Sequence, residues 1–471
     1  MRRLVDCAGA VFSWTVVAAF LAGCGSAYKP VKPEKLMPDS FRGAVPGVVD
    51  GPSAQGIMTG ELSYRHFFVD QQLQSLIDTA LENNVDLLTA IKNIESAKQT
   101  LGATSLAFLP SLTASVQDTR NTSSANGVQR TPREYTASFQ ASWELDVWGK
   151  IRSKRRSALA SYMRTTEAAA AVRTRLVADL ASGYYNLVML DEQRAVTRNN
   201  LELADKTLEM IRLQFEAGQV TGLALRQQEA VRHAIAGSLA FIEQNIVLQE
   251  NALCILCGIM PAPIKRNSAL LTGNQHPAVV PGVPASLLRN RPDIRAAEFA
   301  LTGAAADVED AGAAFYPSFT ITAQGGASSL RLSDWFKLPG SLFSMVQGSV
   351  VQPVFQRGAL QANYRQSVIK RDQAELAFKQ AVVKAVAEVS DALVRIEKLK
   401  EQERSAAERV DTLHHAVDNA DMLFTAGMAT YLEVMSVQSA ALAAELSLAD
   451  IRRQHLTALA ELYRALGGGV R

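Results

Sequence analysis

The chain has 471 residues, a formal charge of +2 and 20% charged side chains. So even a balance gives no support for nucleic-acid binding. Six histidines, and only two cysteines beyond Cys7 and Cys24, leave little material for a metal centre or a disulfide framework.

Arg2 and Arg3 open the chain as a short basic segment, and Val11 to Phe20 form an apolar run too short to span a bilayer stably. The run ends in Leu21-Ala22-Gly23-Cys24, which resembles the bacterial lipobox. That resemblance implies cleavage after Gly23 and covalent N-acyl and S-diacylglycerol lipid on Cys24, with no other cofactor expected. Gly25, in place of an aspartate, implies sorting to the outer membrane. Residues 24–66 carry Pro30, Pro33, Pro38, Pro46 and Pro52, and are expected to be an extended segment lying on another surface.

Helical periodicity begins near Asp70, with Leu73, Leu76, Ile77, Ala80 and Leu81 on one face. Asn83-Asn84-Val85-Asp86 interrupts it, and Asp86 is expected to cap the restart. The pattern then runs to about Ala107, before Pro110. A first strand is expected at 111–119, where Leu112, Ala114 and Val116 alternate with polar residues. A second is expected at 135–147. There Tyr135, Ala137, Phe139, Ala141, Trp143, Leu145 and Val147 take one face, and Thr136, Ser138, Gln140, Ser142, Glu144 and Asp146 the other. Period two over this length matches a tilted transmembrane strand.

A heptad seam follows through Leu176, Leu180, Gly183, Leu187 and Leu190, then polar Arg194 and Thr197, then Leu201, Ala204, Leu208, Ile211 and Phe215. The implied helix is on the order of 100 Å long. Gly218 breaks it, and a second helix returns from about Leu223, giving a helical hairpin with its tip near 218–222. Cys254 and Cys257 read as small apolar residues on a buried face, because no second pair completes a tetrahedral site. Residues 258–285 are a proline-marked connector.

The same unit then recurs. Phe108-Leu109-Pro110-Ser111-Leu112-Thr113 returns as Phe315-Tyr316-Pro317-Ser318-Phe319-Thr320. Gln214-Phe215-Glu216-Ala217-Gly218 returns as Leu423-Phe424-Thr425-Ala426-Gly427. A unit of roughly two hundred residues is far longer than a solenoid repeat. The first copy is read as 67–285 and the second as 286–471. The second has strands at 318–326 and 342–354 and a hairpin tip near 427–431. Its seam runs Val389, Ala392, Ile396, Leu399, Glu403, Ala406, Val410, Leu413, Val417, Ala420 and Phe424. Trp143, Trp148 and Trp335 all fall in or beside strand pairs, as in an interfacial aromatic girdle. Four strands cannot close a barrel and no open edge survives in lipid, so the strands must be shared between chains; three chains give twelve. His414 and His415 point different ways on one helix. No P-loop, H-E-x-x-H or G-x-S-x-G is present, and no enzyme activity is expected.

Three stretches carry a family resemblance. Trp143-Glu144-Leu145-Asp146-Val147-Trp148-Gly149-Lys150 resembles the motif ending the second strand of TolC-like outer-membrane factors. Leu287-Leu288-Arg289-Asn290-Arg291-Pro292-Asp293-Ile294-Arg295-Ala296-Ala297-Glu298 resembles the signature of their NodT-type lipoprotein branch, where a further arginine is usual at Asn290. Tyr463-Arg464-Ala465-Leu466-Gly467-Gly468-Gly469 is similar to that branch's C-terminal end. By residue type, Arg291-Pro292-Asp293 reads as a helix start.

The resemblance implies an α+β membrane channel. It would be a homotrimer with four transmembrane strands per chain in one twelve-stranded barrel, inserted among outer-membrane lipid. Coiled-coil hairpins would form a periplasmic α-barrel. The implied function is the exit duct of a tripartite efflux pump for small molecules, with a periplasmic adaptor and an inner-membrane pump of the RND type as partners. The hairpin tips, at Gly218, Thr221, Gly427 and Thr430, would contact the adaptor, and Glu433 would line the pore constriction. A tyrosine–acid link of some relatives is absent, since its positions hold Phe424 and Ala224. Two alternatives stay open from sequence: the duct of a type I protein-secretion system, and a lipid-anchored coiled-coil scaffold with no pore.

Overall fold

The computed structural model describes Pro38, Phe41 and residues 63–120, 122–125, 128–130, 133–267, 286–335 and 337–468. The chain divides at Lys32/Pro33, and every described residue belongs to the second unit. The signal segment, Cys24, most of 24–62 and connector residues 268–285 lie outside the described residues.

Described elements begin with α1 (Tyr64–Phe67), α2 (Gln71–Asn83) and α3 (Val85–Leu106). Helix α1 starts inside the stretch expected to be extended, because Tyr64 and Phe67 bury their rings. Asp70 caps α2 by accepting from the Gln72 amide at 2.8 Å. The cap of α3 is Asn84, not Asp86: its Oδ1 accepts from Leu87 N at 2.9 Å while its Nδ2 donates to Leu256 O at 2.8 Å. A neutral amide can do both, whereas a carboxylate accepts only. Asp86 instead sits in the first turn of α3, where its charge favours the dipole.

Four strands form one antiparallel sheet in the order β1 (Ser111–Arg120), β4 (Arg133–Leu145), β5 (Ser318–Ser329), β6 (Leu342–Val351). Between β1 and β4 lies a small hairpin of β2 (Ser123–Ala125) and β3 (Val128–Arg130). Strand β4 ends at Leu145 rather than 147, since Val147 N turns back onto Leu145 O at 2.9 Å. Strand β6 ends at Val351 rather than 354. Pro353 follows and has no N–H to continue a ladder. Strand β5 extends past 326 to Ser329, held by β4 through the pair Tyr135–Ser329.

Cross-strand register sorts the side chains. Ala114 faces Phe139, which faces Gly325; Trp143 faces Ile321; Ala323 faces Val346. These residues share one apolar, outward surface, on which Val116 is 75% exposed, Phe139 65% and Val346 78%. The opposite face carries Ser115, Ser138 and Gln324, linked by bonds of 3.2 and 2.9 Å to the buried Ser138 hydroxyl. Phe343 and Met345 fall on this polar face, across from Gly326 and Gln324, which is why alternation in β6 is hard to read. The outer edges of β1 and β6 have no partner among the described strands.

Each strand pair continues into long helices: α4 (Lys150–Glu216) and α5 (Gly222–Leu256) in the first copy. After α6 (Leu287–Asn290) and α7 (Pro292–Ala313) come α8 (Ala359–Thr425) and α9 (Tyr431–Ala465). Helices α4 and α8 have 67 residues each, and α5 and α9 have 35 each, so the two hairpins reach equally far. Helices α3, α4, α7 and α8 pack side by side in the same order as the strands they adjoin. The seam is buried over much of its length, with Leu180, Leu187, Ile211 and Val389 wholly covered, while Phe215 near the first tip is 43% exposed. At Gly183 an added Cβ would come within 2.8 Å of Leu253, so the missing side chain lets α5 close on α4.

The main core lies midway, where α1 and α2 wrap the long helices. Tyr463 stacks on Phe67 at 4.5 Å and meets Phe68 edge-on at 5.6 Å. Tyr184 donates to Asp70 at 2.6 Å and accepts from Asn267 N at 3.1 Å. Phe41, from the proline-rich N-terminal stretch, is buried in this core.

Candidate functional site

The two hairpin tips are built by the same backbone rule. After α4, Gly218 takes φ +71°; its N–H donates to Phe215 O at 3.0 Å, and Gln219 N donates to Gln214 O at 2.8 Å. After α8, Gly427 takes φ +72°, with Gly427 N to Phe424 O at 3.0 Å and Met428 N to Leu423 O at 2.8 Å. Both are Schellman endings, which satisfy carbonyls that would otherwise be orphaned. The chain then restarts at Thr221 and Thr430, both extended at the helix N-cap.

The two restarts differ. Thr221 makes no side-chain cap bond. Thr430 and Glu433 form a capping box: the Thr430 amide donates to Glu433 Oε2 at 2.6 Å and its hydroxyl at 3.0 Å. These donors, the amide first, hold the Glu433 carboxyl below the usual glutamate range, so this exposed acid carries its charge. Glu433 is therefore both a charge at the tip and the cap that shapes it.

Phe424, Ala420 and Val434 form a small second core, with Ala429 and Tyr431 packed on it. Ala224 is fully buried. One cross-hairpin contact here was not legible in the sequence: Tyr431 OH donates to Gln227 Oε1 at 2.6 Å, tying α9 to α5. Nothing in the spacing pairs residues this far apart in the chain.

Arg291 was read only as a helix start. Pro292 does occupy the first turn of α7, and Asp293 lies there too. But Arg291 is 3% exposed and donates to both Asp293 oxygens (3.0 and 2.6 Å), to Glu388 on α8 (2.9 Å) and to Ala465 O at the end of α9 (3.0 Å). It locks three elements together. A second buried clamp joins Arg266 to Asp191, Glu250 and Ile264 O, with Arg194 also on Asp191 at 3.1 Å.

Cys254 and Cys257 are free and buried, facing the carbonyls of Ala262 and Leu76. Burial, with Cys254 beside it, pushes the Cys257 thiol up to about 11, so it stays a protonated, unreactive group. Among the described residues, no group of three or more His, Cys, Asp or Glu is placed to hold a metal ion. His414 and His415 are both largely exposed; the first contacts Glu445 and the second lies 3.9 Å from Asp411. Trp143, Trp148 and Trp335 donate to the carbonyls of Phe108, Pro317 and Ala327 at 2.9, 2.8 and 3.1 Å. The first two sit at the helix end of the sheet and the third at its far end.

Known proteins share this architecture. The probable outer membrane lipoprotein SilC of Salmonella typhimurium is 29% identical over 87% of this chain and 88% of its own length. The solvent efflux pump outer membrane protein SrpC of Pseudomonas putida is 30% identical over 92% of this chain and 95% of its own length. The crystal structure of the open state of the Neisseria gonorrhoeae MtrE outer membrane channel superposes with a TM-score of 0.82 at 27% identity, covering 94% of this chain and 98% of that one. Residues 76–258 and 283–468 match the family model "Outer membrane efflux protein". The chain therefore belongs to the outer membrane efflux protein family, and it is an outer-membrane exit duct of the TolC-like, NodT-type branch rather than an enzyme.

Proposed function

We propose that three copies of the chain close a twelve-stranded barrel and a continuous periplasmic duct, and that the tips around Gly218, Thr221, Gly427 and Thr430 seat a periplasmic adaptor. An inner-membrane pump of the RND type supplies the energy, and small molecules pass through without chemical change. Cys24 carries the lipid anchor. Three Glu433 side chains ring the narrow periplasmic end and favour cations there, because like charges held close around one axis attract counter-ions.

The observation that carries this reading is the four-stranded sheet with one apolar face and two edges unpaired among the described strands. In lipid every backbone donor and acceptor on those edges needs a partner. Apolar side chains left open on α5 (Phe241, Leu248 and Ile255) and on α8 (Ile369, Leu376 and Val383) support the same assembly lower down, as surfaces for neighbouring copies.

Native mass spectrometry in detergent, with cross-linking between cysteines placed on β1 and β6, tests the assembly. Three chains linked edge to edge are expected. A folded monomer stably inserted in bilayers would overturn it.

A further inference from the structure

The first two turns of α4 carry an arginine pair that the duct itself does not use. Its orientation follows from one bond. Glu144 lies on the polar face of the sheet, opposite Thr320, and accepts from Lys150 Nζ at 2.8 Å. Lys150 therefore marks the polar, inward side of α4. At 100° per residue, Lys154, Ser157 and Ser161 share that side. Helix α7 covers one flank, with Ser153 and Arg156 on Glu309 and Ala160 against Gly303. Arg152, Arg155, Leu159 and Met163 fall on the side opposite Lys150, and all four are exposed. They continue the outward surface of the barrel below its apolar band.

Arg155 is uncommitted, and Arg152 makes one long ion pair. Arg155 makes no ion pair or side-chain hydrogen bond with any described residue. Arg152 lies 3.8 Å from Asp146, whose oxygens already accept from the Ile151 and Arg152 amides at 2.8 and 3.2 Å. Immediately towards the membrane are exposed apolar and aromatic groups: Val147, Val354, Phe355, and Trp148 stacked on Tyr316 at 4.8 Å. With about 1.5 Å of rise per residue, Arg152 and Arg155 fall roughly 3–8 Å beyond the start of α4. That is the depth of a headgroup layer beneath the hydrocarbon.

We propose that Arg152 and Arg155 bind the phosphate of an anionic phospholipid headgroup in the periplasmic leaflet. Two guanidinium groups one helical turn apart can share one phosphate, each donating through its planar fork. Such sites fix the height of the barrel in the bilayer. The inference rests on the barrel being membrane-inserted, which is scored separately by insertion itself.

The test uses the full-length channel in nanodiscs of phosphatidylcholine mixed with phosphatidylglycerol, with retained lipid counted by native mass spectrometry. Phosphatidylglycerol enrichment should fall about fivefold for each arginine replaced, and most in Arg152→Gln/Arg155→Gln. Lys154→Gln, on the inward side, should leave it unchanged. If the double variant does not assemble, Arg155→Gln alone carries the comparison, because its side chain holds nothing else. Equal enrichment in parent and variant overturns the proposal. So does an equal loss in Lys154→Gln, or displacement of the bound lipid by millimolar glycerol 3-phosphate, which marks a soluble-anion site. Failure of the parent to insert at all would instead sink the barrel reading.

Discussion

Replacing Gly427 with valine isolates what the second tip requires. Gly427 sits at φ +72°, and a Cβ built there meets no atom within 4 Å. Space is thus not the obstacle; conformation is. A residue with a Cβ pays about 1–2 kcal/mol in the left-handed region, and a β-branched one lies at the upper end. The two Schellman bonds to Phe424 O and Leu423 O depend on that conformation. The turn borders only the small Phe424 core, so the cost falls on the local order of the tip, not on the fold. A loss of this size shifts the equilibrium away from the native tip by up to about thirtyfold, and adaptor binding falls with the competent fraction. Gly427→Val should therefore cut efflux-dependent tolerance in a strain relying on this duct, with trimer yield near normal. Gly427→Asn should fall only slightly, since asparagine enters the left-handed region more readily. Unchanged tolerance in Gly427→Val would refute the reasoning, as would equal losses in both variants.

Arg291→Met takes the buried donor from the Ala465 carbonyl and one of three cations from Glu388, which keeps Arg464 at 3.5 Å and Lys384 at 3.9 Å, so thermal or denaturant unfolding should show a loss of about 1–3 kcal/mol. Tyr431→Phe removes the bond to Gln227 while keeping the ring in the tip core; hydrogen exchange at the tips should quicken while the barrel stays unchanged. Glu433→Gln should reduce cation selectivity in planar bilayers, and its amide oxygen can still accept from Thr430 N; identical reversal potentials would leave Glu433 a capping residue only. Because its carboxyl is held below the ordinary range, the cap is intact at neutral pH and its stabilising effect fades as pH falls through that lowered value, readable as tip exchange in acid. Mass spectrometry of the N-terminal peptide should find Cys24 diacylated; an unmodified thiol in membrane-extracted protein contradicts the anchor.

The sequence alone determined the duplication, the helix and strand types, the seam and the glycine breaks. These are periodic or local signals: alternation over Tyr135–Leu145, heptads through Leu176–Ile211, and a φ that glycine adopts most readily. It also located the tips, because a turn is written in neighbouring residues. Tertiary structure decided what depends on residues distant in sequence. Asn84 took the cap from Asp86 because it also had a carbonyl on α5 to reach. Arg291 became a three-way clamp only once the middle of α8 and the end of α9 lay beside it. The Tyr431–Gln227 link joins two separate hairpins, and the outward side of Arg152 and Arg155 was fixed by a single bond between Lys150 and the polar face of β4. Periodicity gives a helix its faces, but only packing against neighbours says which way each face turns.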